Sequence, residues 1–337
     1  MTDYKKEYGF EGILGHEKVI EHLKNSIAAD RVSHAYIIEG PTGSGKMRLA
    51  KAFAMTLLCE KGGTSPCMEC HSCRQVMHDA QPDLIYVTHD KPRTISVEDI
   101  RRQVVNDIAI RPEQSRYKVY IIDEAEKMNE SAQNALLKTI EEPPEYAVVL
   151  LLATSSSVFL PTITSRCVTL TLRAVPEDMI VKFLMEKTDV DEQRARVCAA
   201  FSQGVPGKAY MLAQSDDFAQ VKEAAIRLVK RITEIDETEM GQEIRRINEY
   251  HLEPSDYLDI LTVWYRDVLQ FKATQDANAL IFKDEVLEVK RQASKISYPG
   301  LEEILEALDK AKTRLHANVN YDLTMELLLE TIKENQK

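Results

Sequence analysis

Residues 36–46 read Tyr36-Ile37-Ile38-Glu39-Gly40-Pro41-Thr42-Gly43-Ser44-Gly45-Lys46, an apolar run followed by a glycine-rich loop that ends in lysine. The apolar run predicts a strand, and the spacing of apolar residues from Met47 to Leu58 predicts a helix. Glycines let backbone N–H groups wrap a phosphate, and the N-terminus of the following helix adds positive potential. Lys46 can reach the outer phosphates. The segment is therefore predicted to be a phosphate-binding P-loop.

Further apolar runs indicate a sheet around this loop. They are Leu84-Ile85-Tyr86-Val87, Val119-Tyr120-Ile121-Ile122, Val148-Val149-Leu150-Leu151-Leu152 and Val168-Thr169-Leu170. Most do not alternate with polar residues, which is typical of strands covered on both faces in a parallel sheet. Helical patterns lie between them, and one begins at Asn129 and stops before Pro143-Pro144. We predict an α/β domain of doubly wound, P-loop type over residues 1–172.

The second half of the chain is predicted to be helical. Strand patterns fade after Val175, and a break at Gly204-Val205-Pro206-Gly207 is predicted to close a small helical lid domain over residues 173–213. Amphipathic helical spacing then continues to the C-terminus, so residues 214–337 are predicted to form an all-helical domain. The Trp264-Tyr265 and Leu327-Leu328-Leu329 sets within it fit an internal core or an oligomer interface.

Composition excludes several classes of protein. The 337 residues are 44% hydrophobic and 29% charged, which is typical of a folded soluble protein and not of disordered, collagen-like or membrane proteins. The net charge of −11 argues against a chain that binds a polyanion with its whole surface. No apolar stretch has the length of a signal peptide core or a membrane span, so we expect a cytoplasmic protein without membrane contact.

Four of the six cysteines are clustered within residues 59–73. Cys59, Cys67, Cys70 and Cys73 have the spacing C-x7-C-x2-C-x2-C, and four thiolates satisfy one tetrahedral zinc ion. We predict a structural Zn2+ module, since four protein ligands leave no open position for catalysis. His71 as a replacement ligand is a lesser alternative. An iron–sulfur cluster is disfavoured because Met77 stands where a fourth downstream cysteine is needed.

The P-loop departs from the pattern of an active ATPase at one position. Met47 stands where a serine or threonine hydroxyl coordinates magnesium, and a thioether is a poor ligand for a hard cation. Asp123 and Glu124 follow an apolar strand, where P-loop ATPases place one carboxylate toward magnesium and another to orient the attacking water. The sequence predicts a pocket that can hold ATP or ADP but hydrolyses it poorly.

Arg166 precedes the last apolar run. A surface ion pair is its simplest interpretation. However, a planar guanidinium that is always charged can also stabilise the charge of a phosphoryl group in transfer.

The motifs occur in a characteristic order. They are Phe10-Glu11-Gly12-Ile13-Leu14-Gly15-His16, the P-loop, the cysteine cluster, Asp123-Glu124-Ala125, Leu136-Leu137-Lys138-Thr139-Ile140-Glu141-Glu142-Pro143-Pro144 and Ser165-Arg166-Cys167. Together they resemble the bacterial DNA polymerase III clamp-loader family, which has the AAA+ fold. The resemblance covers about the first 170 residues strongly. Met47 and Gly207 make the chain more similar to the delta-prime type of subunit than to the gamma/tau ATPase.

The resemblance implies a role in DNA replication as a component of the polymerase III holoenzyme. In this family a five-subunit ring, here a hetero-pentamer with gamma/tau and delta subunits, opens the sliding clamp on binding ATP. The ring accepts primer–template DNA and releases the clamp on hydrolysis. The helical C-terminal domain would form the collar that holds this ring together.

The resemblance also implies roles for single residues. The arginine of the S-R-C motif reaches the nucleotide of the neighbouring subunit, so Arg166 becomes an arginine finger in trans. Thr154 matches the sensor-1 position, which reports on the γ-phosphate. Gly207 stands where ATPase relatives have the sensor-2 arginine, which again weakens hydrolysis by this chain.

Other functions stay open at this point. A gamma/tau-like ATPase subunit or a stand-alone P-loop ATPase would show its own ATP turnover. A zinc-ribbon factor that binds nucleic acid would need positive charge at the cysteine cluster. The Cys67–Cys73 segment has only Arg74 just beyond it as a basic residue, against Glu69 within it and Asp79 and Asp83 after it, which is a poor electrostatic footprint for phosphate.

Overall fold

Five parallel strands form one sheet, with the order β2-β3-β4-β1-β5. The strands are β1 (Ala35–Glu39), β2 (Leu84–Tyr86), β3 (Lys118–Ile122), β4 (Ala147–Ala153) and β5 (Val168–Thr171). Each of the predicted apolar runs forms one of these strands, so the α/β prediction is confirmed.

The structure is a computed structural model and describes residues 8–89, 91–249, 254–317 and 319–336. It divides into two units, each with its own dense internal contacts. The first runs up to Ile180 and also includes Gly204–Lys208, whereas the second comprises Val181–Gln203 and the residues from Ala209 onward. The three-domain division with limits at 172 and 213 stays a prediction.

Helices occupy most of the remaining chain. In the order of the chain up to the end of the sheet, they are α1 (Glu17–Ala28), α2 (Lys46–Leu57), α3 (His71–Met77), α4 (Val97–Ile100), α5 (Glu130–Glu141) and α6 (Pro161–Thr164). They continue as α7 (Glu177–Lys187), α8 (Glu192–Phe201), α9 (Pro206–Gln214), α10 (Asp216–Arg231), α11 (Glu237–Glu249), α12 (Pro254–Thr274), α13 (Val286–Lys295), α14 (Tyr298–His316) and α15 (Tyr321–Gln336). Among the described residues, no helix combines the length and apolarity needed to cross a membrane.

The sheet is buried on both faces because side chains of a strand point alternately to opposite sides. All seven residues of β4 are buried. Leu150 belongs to a core cluster that also contains Phe53 of α2, and the adjacent Leu151 belongs to a second cluster that contains Leu136 of α5. Helices therefore cover both faces, which explains why these strands carry continuous apolar runs.

The second unit has its own aromatic core. Trp264 and Tyr265 of α12 are fully buried, and the indole Nε1 of Trp264 donates a hydrogen bond of 2.9 Å to Oε1 of Gln292. In α15, Leu328 and Leu329 are buried, whereas Leu327 is 43% exposed. Most of these residues thus belong to the internal core, and only Leu327 lies on the surface.

Candidate functional site

The P-loop lies at the strand-to-helix turn that its sequence predicts. The loop leaves β1 after Glu39, and α2 begins at Lys46 with Gly45 as its N-cap. Gly43 and Gly45 have φ angles of 85° and 99°, a left-handed region that side chains with a Cβ rarely occupy. Glycine is therefore required at these two positions by the shape of the loop.

Lys46 is turned back onto its own loop. Its Nζ donates hydrogen bonds to the carbonyl oxygens of Gly40 at 2.6 Å and Pro41 at 3.0 Å. Burial lowers the pKa of Lys46, while the nearby carboxylates of Glu126, Asp123 and Glu124 raise it. The Lys46 ammonium group is therefore attracted electrostatically by the carboxylates of these three residues.

Two residues close to Lys46 in the sequence, Ser44 and Met47, bear on whether the loop can bind magnesium. The Ser44 hydroxyl is buried and has no hydrogen-bond partner among the described residues. Met47 packs its side chain against the apolar core cluster. The first turn of α2 therefore offers no hydroxyl at the position where P-loop ATPases coordinate magnesium.

The predicted acidic pair follows β3 on the surface. Asp123 and Glu124 are exposed, Asp123 Oδ1 accepts a hydrogen bond from the backbone N–H of Glu124, and Glu124 forms an ion pair with Lys127. Thr154, the sensor-1 candidate, is exposed directly after β4. These residues lie at the carboxyl ends of adjacent strands, where ligands bind in open α/β sheets.

Glu39 connects three parts of this edge, although it was not among the site residues predicted from the sequence. Its carboxylate accepts hydrogen bonds from Thr171 Oγ1 at 2.6 Å and from the backbone N–H of Ser156 at 2.7 Å. These hydrogen bonds, first that of Thr171 and then those of Ser156, lower the pKa of Glu39 despite its partial burial. A charged carboxylate therefore braces the end of β5 and the turn after β4 beside the P-loop.

Residues 204–208 pack directly on the P-loop. The backbone N–H of Gly207 donates to the carbonyl oxygen of Gly43 at 3.0 Å. A Cβ added to Gly207 would lie 2.7 Å from that oxygen and 2.9 Å from the Cα of Gly43. Because real Cβ atoms do not approach backbone this closely, an arginine at position 207 does not fit this arrangement.

His16 is a second residue that sequence analysis did not single out. Its ring Nε2 lies 3.3 Å from the carbonyl oxygen of Ser44, and its backbone is left-handed, with a φ of 64°. Burial lowers the pKa of His16 more than this hydrogen bond and Glu17 raise it, which favours the neutral ring. Only the motif around Gly15-His16 pointed to this position, without indicating a contact with the P-loop.

The four clustered cysteines meet as the spacing predicts. Their sulfur atoms all lie within 4.8 Å of one another, and those of Cys67 and Cys73 are 3.9 Å apart. Tetrahedral Zn–S bonds of about 2.3 Å place sulfurs about 3.8 Å apart, so a small contraction would suffice for zinc. The cluster could therefore bind zinc. His71 is exposed and is not part of this group.

Backbone N–H groups favour the thiolate form of Cys67, whereas burial raises the pKa of Cys59 and of Cys73. Cys70 N–H donates to the sulfur of Cys67, and Cys73 N–H donates to the sulfur of Cys70, both at 3.3 Å. Burial alone would raise the pKa of Cys67, but the N–H groups of Glu69 and Cys70 and the neighbouring thiols bring it down to about 6. This donor set fits a soft-ligand metal site closed by protein.

Arg166 lies on the surface at the other end of the sheet. Its Nη1 donates to the carbonyl oxygen of Thr162 at 2.9 Å, and its Nη2 lies 3.1 Å from Oε1 of Glu141. Val168, the first residue of β5, pairs with Tyr36, four residues before Gly40. That offset corresponds to ~13 Å along the strand. Since Arg166 precedes Val168, it lies away from the P-loop of its own chain.

Comparisons with known proteins show the family of the chain. Residues 15–176 match the family described as "DNA polymerase III, delta subunit", and residues 229–334 match "DNA polymerase III, delta subunit, C terminal". The chain is 32% identical to "DNA polymerase III subunit delta'" of Bacillus subtilis over 327 residues, which are 94% of this chain and 96% of the relative. It is 26% identical to the tau subunit of the same organism, covering 96% of this chain and 62% of tau.

Solved structures give more distant similarities. A DNA polymerase III gamma subunit-related protein from Thermotoga maritima has a TM-score of 0.43 and 19% identity, covering 94% of this chain and 99% of that protein. The RuvB Holliday junction branch migration motor of the same organism has a TM-score of 0.45 and 15% identity, covering 98% and 90%. The identity and coverage of the delta-prime relative carry the assignment: the chain belongs to the DNA polymerase III clamp-loader family, as a subunit of the delta-prime type.

Proposed function

We propose that this chain acts in a hetero-pentameric clamp loader with gamma/tau and delta subunits and helps to load the sliding clamp onto primed DNA in the cytoplasm. The chain donates Arg166 as an arginine finger to the nucleotide of a neighbouring ATPase subunit and hydrolyses little or no ATP itself. It meets primer–template DNA as part of the complex.

The position of Arg166 supports this proposal most directly. The guanidinium is 39% exposed and lies at the end of the sheet opposite to the P-loop of its own chain. A single side chain cannot bridge that separation, so a phosphate that Arg166 contacts belongs to another molecule. This geometry and the membership in the family support donation of Arg166 to a neighbouring subunit.

The P-loop supports the second part of the proposal. Met47 removes the magnesium-binding hydroxyl, and the close packing of Gly207 on Gly43 leaves no room for a sensor-2 arginine. Lys46, Asp123 and Glu124 are retained and would hold ATP or ADP if nucleotide binds. ATP turnover by the isolated chain in the presence of magnesium would overturn this part.

Zinc has a structural role in this proposal. Cys59, Cys67, Cys70 and Cys73 would hold one Zn2+ between α2 and α3 and so fix the residues that link them. Metal analysis of the purified chain should find one equivalent of zinc. A chain that folds and is isolated without zinc would contradict this role.

Turnover of the reconstituted complex tests the arginine finger. With clamp and primed DNA present, Arg166→Ala should slow hydrolysis at the neighbouring site by about 10³-fold or more while the complex still assembles. Arg116→Ala is the matched control, since Arg116 also forms an exposed ion pair in the first unit, at 2.8 Å from Asp30. Equal turnover of the Arg166 variant and the wild type would refute the finger.

A further inference from the structure

Arg166 is held by three contacts from two neighbouring elements. Nη1 donates to the Thr162 carbonyl oxygen of α6 at 2.9 Å and lies 3.3 Å from the Ser165 hydroxyl, and Nη2 pairs with Glu141 at 3.1 Å. The Glu141 contact differs from the others because it comes from a separate helix. It is also the contact that fixes the guanidinium relative to the face of the sheet that α5 covers.

Glu141 is placed by the length and direction of α5. The helix begins at the Asn129 cap, whose Oδ1 accepts the Ala132 N–H at 2.8 Å, and Glu141 is its last residue. The C-terminal end of a helix carries partial negative charge from its unpaired carbonyl groups. Both this partial charge and the carboxylate of Glu141 attract a guanidinium, so the C-terminal end of α5 is a favourable binding position for the Arg166 side chain.

We propose that Glu141 is a positioning residue for Arg166, and this inference rests on the proposed function. A guanidinium has five N–H donors, and the three contacts occupy at most three of them. At least two donors are left for phosphate oxygens of a neighbouring subunit. Glu141 therefore aims the side chain and leaves it able to bind.

The solvent exposure of the two side chains shows whether Glu141 only orients Arg166 or also prevents it from binding phosphate. The side chains of Arg166 and Glu141 are 39% and 45% exposed, and ion pairs in contact with water are weak. Such a pair narrows the set of arginine rotamers without resisting a phosphate that carries more charge. Loss of the pair should consequently reduce the fraction of encounters in which the finger is correctly placed.

A double-mutant cycle in the reconstituted complex tests this role. Glu141→Gln keeps the shape of the side chain and removes its charge. It should lower the kcat for ATP about fivefold, since misplacement of a catalytic group costs rate. KM for ATP and assembly of the complex should stay within about twofold of wild type, because the residue does not touch substrate.

The second arm of the cycle separates positioning from a general structural effect. On an Arg166→Ala background, Glu141→Gln should change turnover no further, because no finger remains to be aimed. Glu142→Gln is the matched control, since Glu142 is exposed and forms no ion pair within the described residues. It should leave turnover unchanged in both backgrounds.

The outcomes distinguish the two hypotheses. If Arg166→Ala does not slow the complex, the proposed function fails. If Arg166→Ala slows it but Glu141→Gln leaves kcat unchanged or raises it, the finger stands and the positioning role is wrong. An equal loss from Glu141→Gln with and without Arg166 would also overturn the inference.

Discussion

Replacing Gly207 by alanine tests how closely residues 204–208 pack on the P-loop. The new Cβ would lie 2.7 Å from the oxygen, 2.9 Å from the Cα and 3.2 Å from the carbonyl carbon of Gly43. Ordinary contacts of carbon atoms begin at about 3.5 Å, so the two backbones must separate by at least about 0.5 Å. This shift stretches the hydrogen bond of 3.0 Å between Gly207 and Gly43 toward its limit.

The free energy of unfolding follows from these changes. Overpacking costs about 1–3 kcal/mol, and a weakened hydrogen bond adds up to about 1 kcal/mol. The lower entropy of the unfolded chain returns about 0.4–1 kcal/mol when glycine becomes alanine. The net loss of about 1–3 kcal/mol should lower the melting temperature of the first unit by roughly 2–10 °C.

Calorimetry and hydrogen exchange can measure the effect. We expect faster amide exchange in peptides that cover residues 40–47, because their packing against residues 204–208 is loosened. Gly241→Ala in α11 is the control, since a Cβ there meets nothing within 4 Å and should stabilise the helix by about 0.5–1 kcal/mol. A Gly207→Ala variant that melts and exchanges like wild type would refute the close approach.

Cys70→Ser should remove most of the bound zinc, measured by elemental analysis, because a four-thiolate site loses one ligand; full retention of zinc would contradict the site. Glu39 has a lowered pKa in the folded state, so wild type should be more stable than Glu39→Gln above the ordinary carboxylate pKa of 4.5. Urea unfolding should show this advantage shrinking as the pH falls further, and a constant difference would disprove the linkage. Gln292→Leu leaves the buried indole N–H of Trp264 unpaired and should cost about 1–3 kcal/mol, followed by fluorescence of this single tryptophan; an unchanged midpoint would argue against the bond.

Features that depend on neighbours in sequence were predictable. The strands were found because burial on both faces demands continuous apolar runs, as in β4. The start of α5 was found because Asn129 caps it through a bond to a residue three positions away. The cysteine cluster was predictable for the same reason, since Cys67, Cys70 and Cys73 follow one another at intervals of only three positions in the sequence.

Contacts between distant segments were not predictable in the same way. Gly43 and Gly207 lie far apart in the sequence, and a glycine at either position does not indicate that their backbones are joined by a hydrogen bond. Glu39 looked like the end of a strand, although its partner Thr171 is brought to it by the pairing of β1 with β5. Arg166 was singled out from its motif, but its partner Glu141 depends on where α5 ends.

The two edge strands of the sheet are short, and this protects the protein against aggregation through strand pairing. β2 and β5 flank the sheet with three and four residues, whereas β4 inside it has seven. An edge strand this short presents few unpaired N–H and C=O groups to another chain, which disfavours aggregation by pairing of edge strands. In the proposed complex, neighbouring subunits would then recognise this chain by the shape and charge of matching surfaces instead of by backbone pairing.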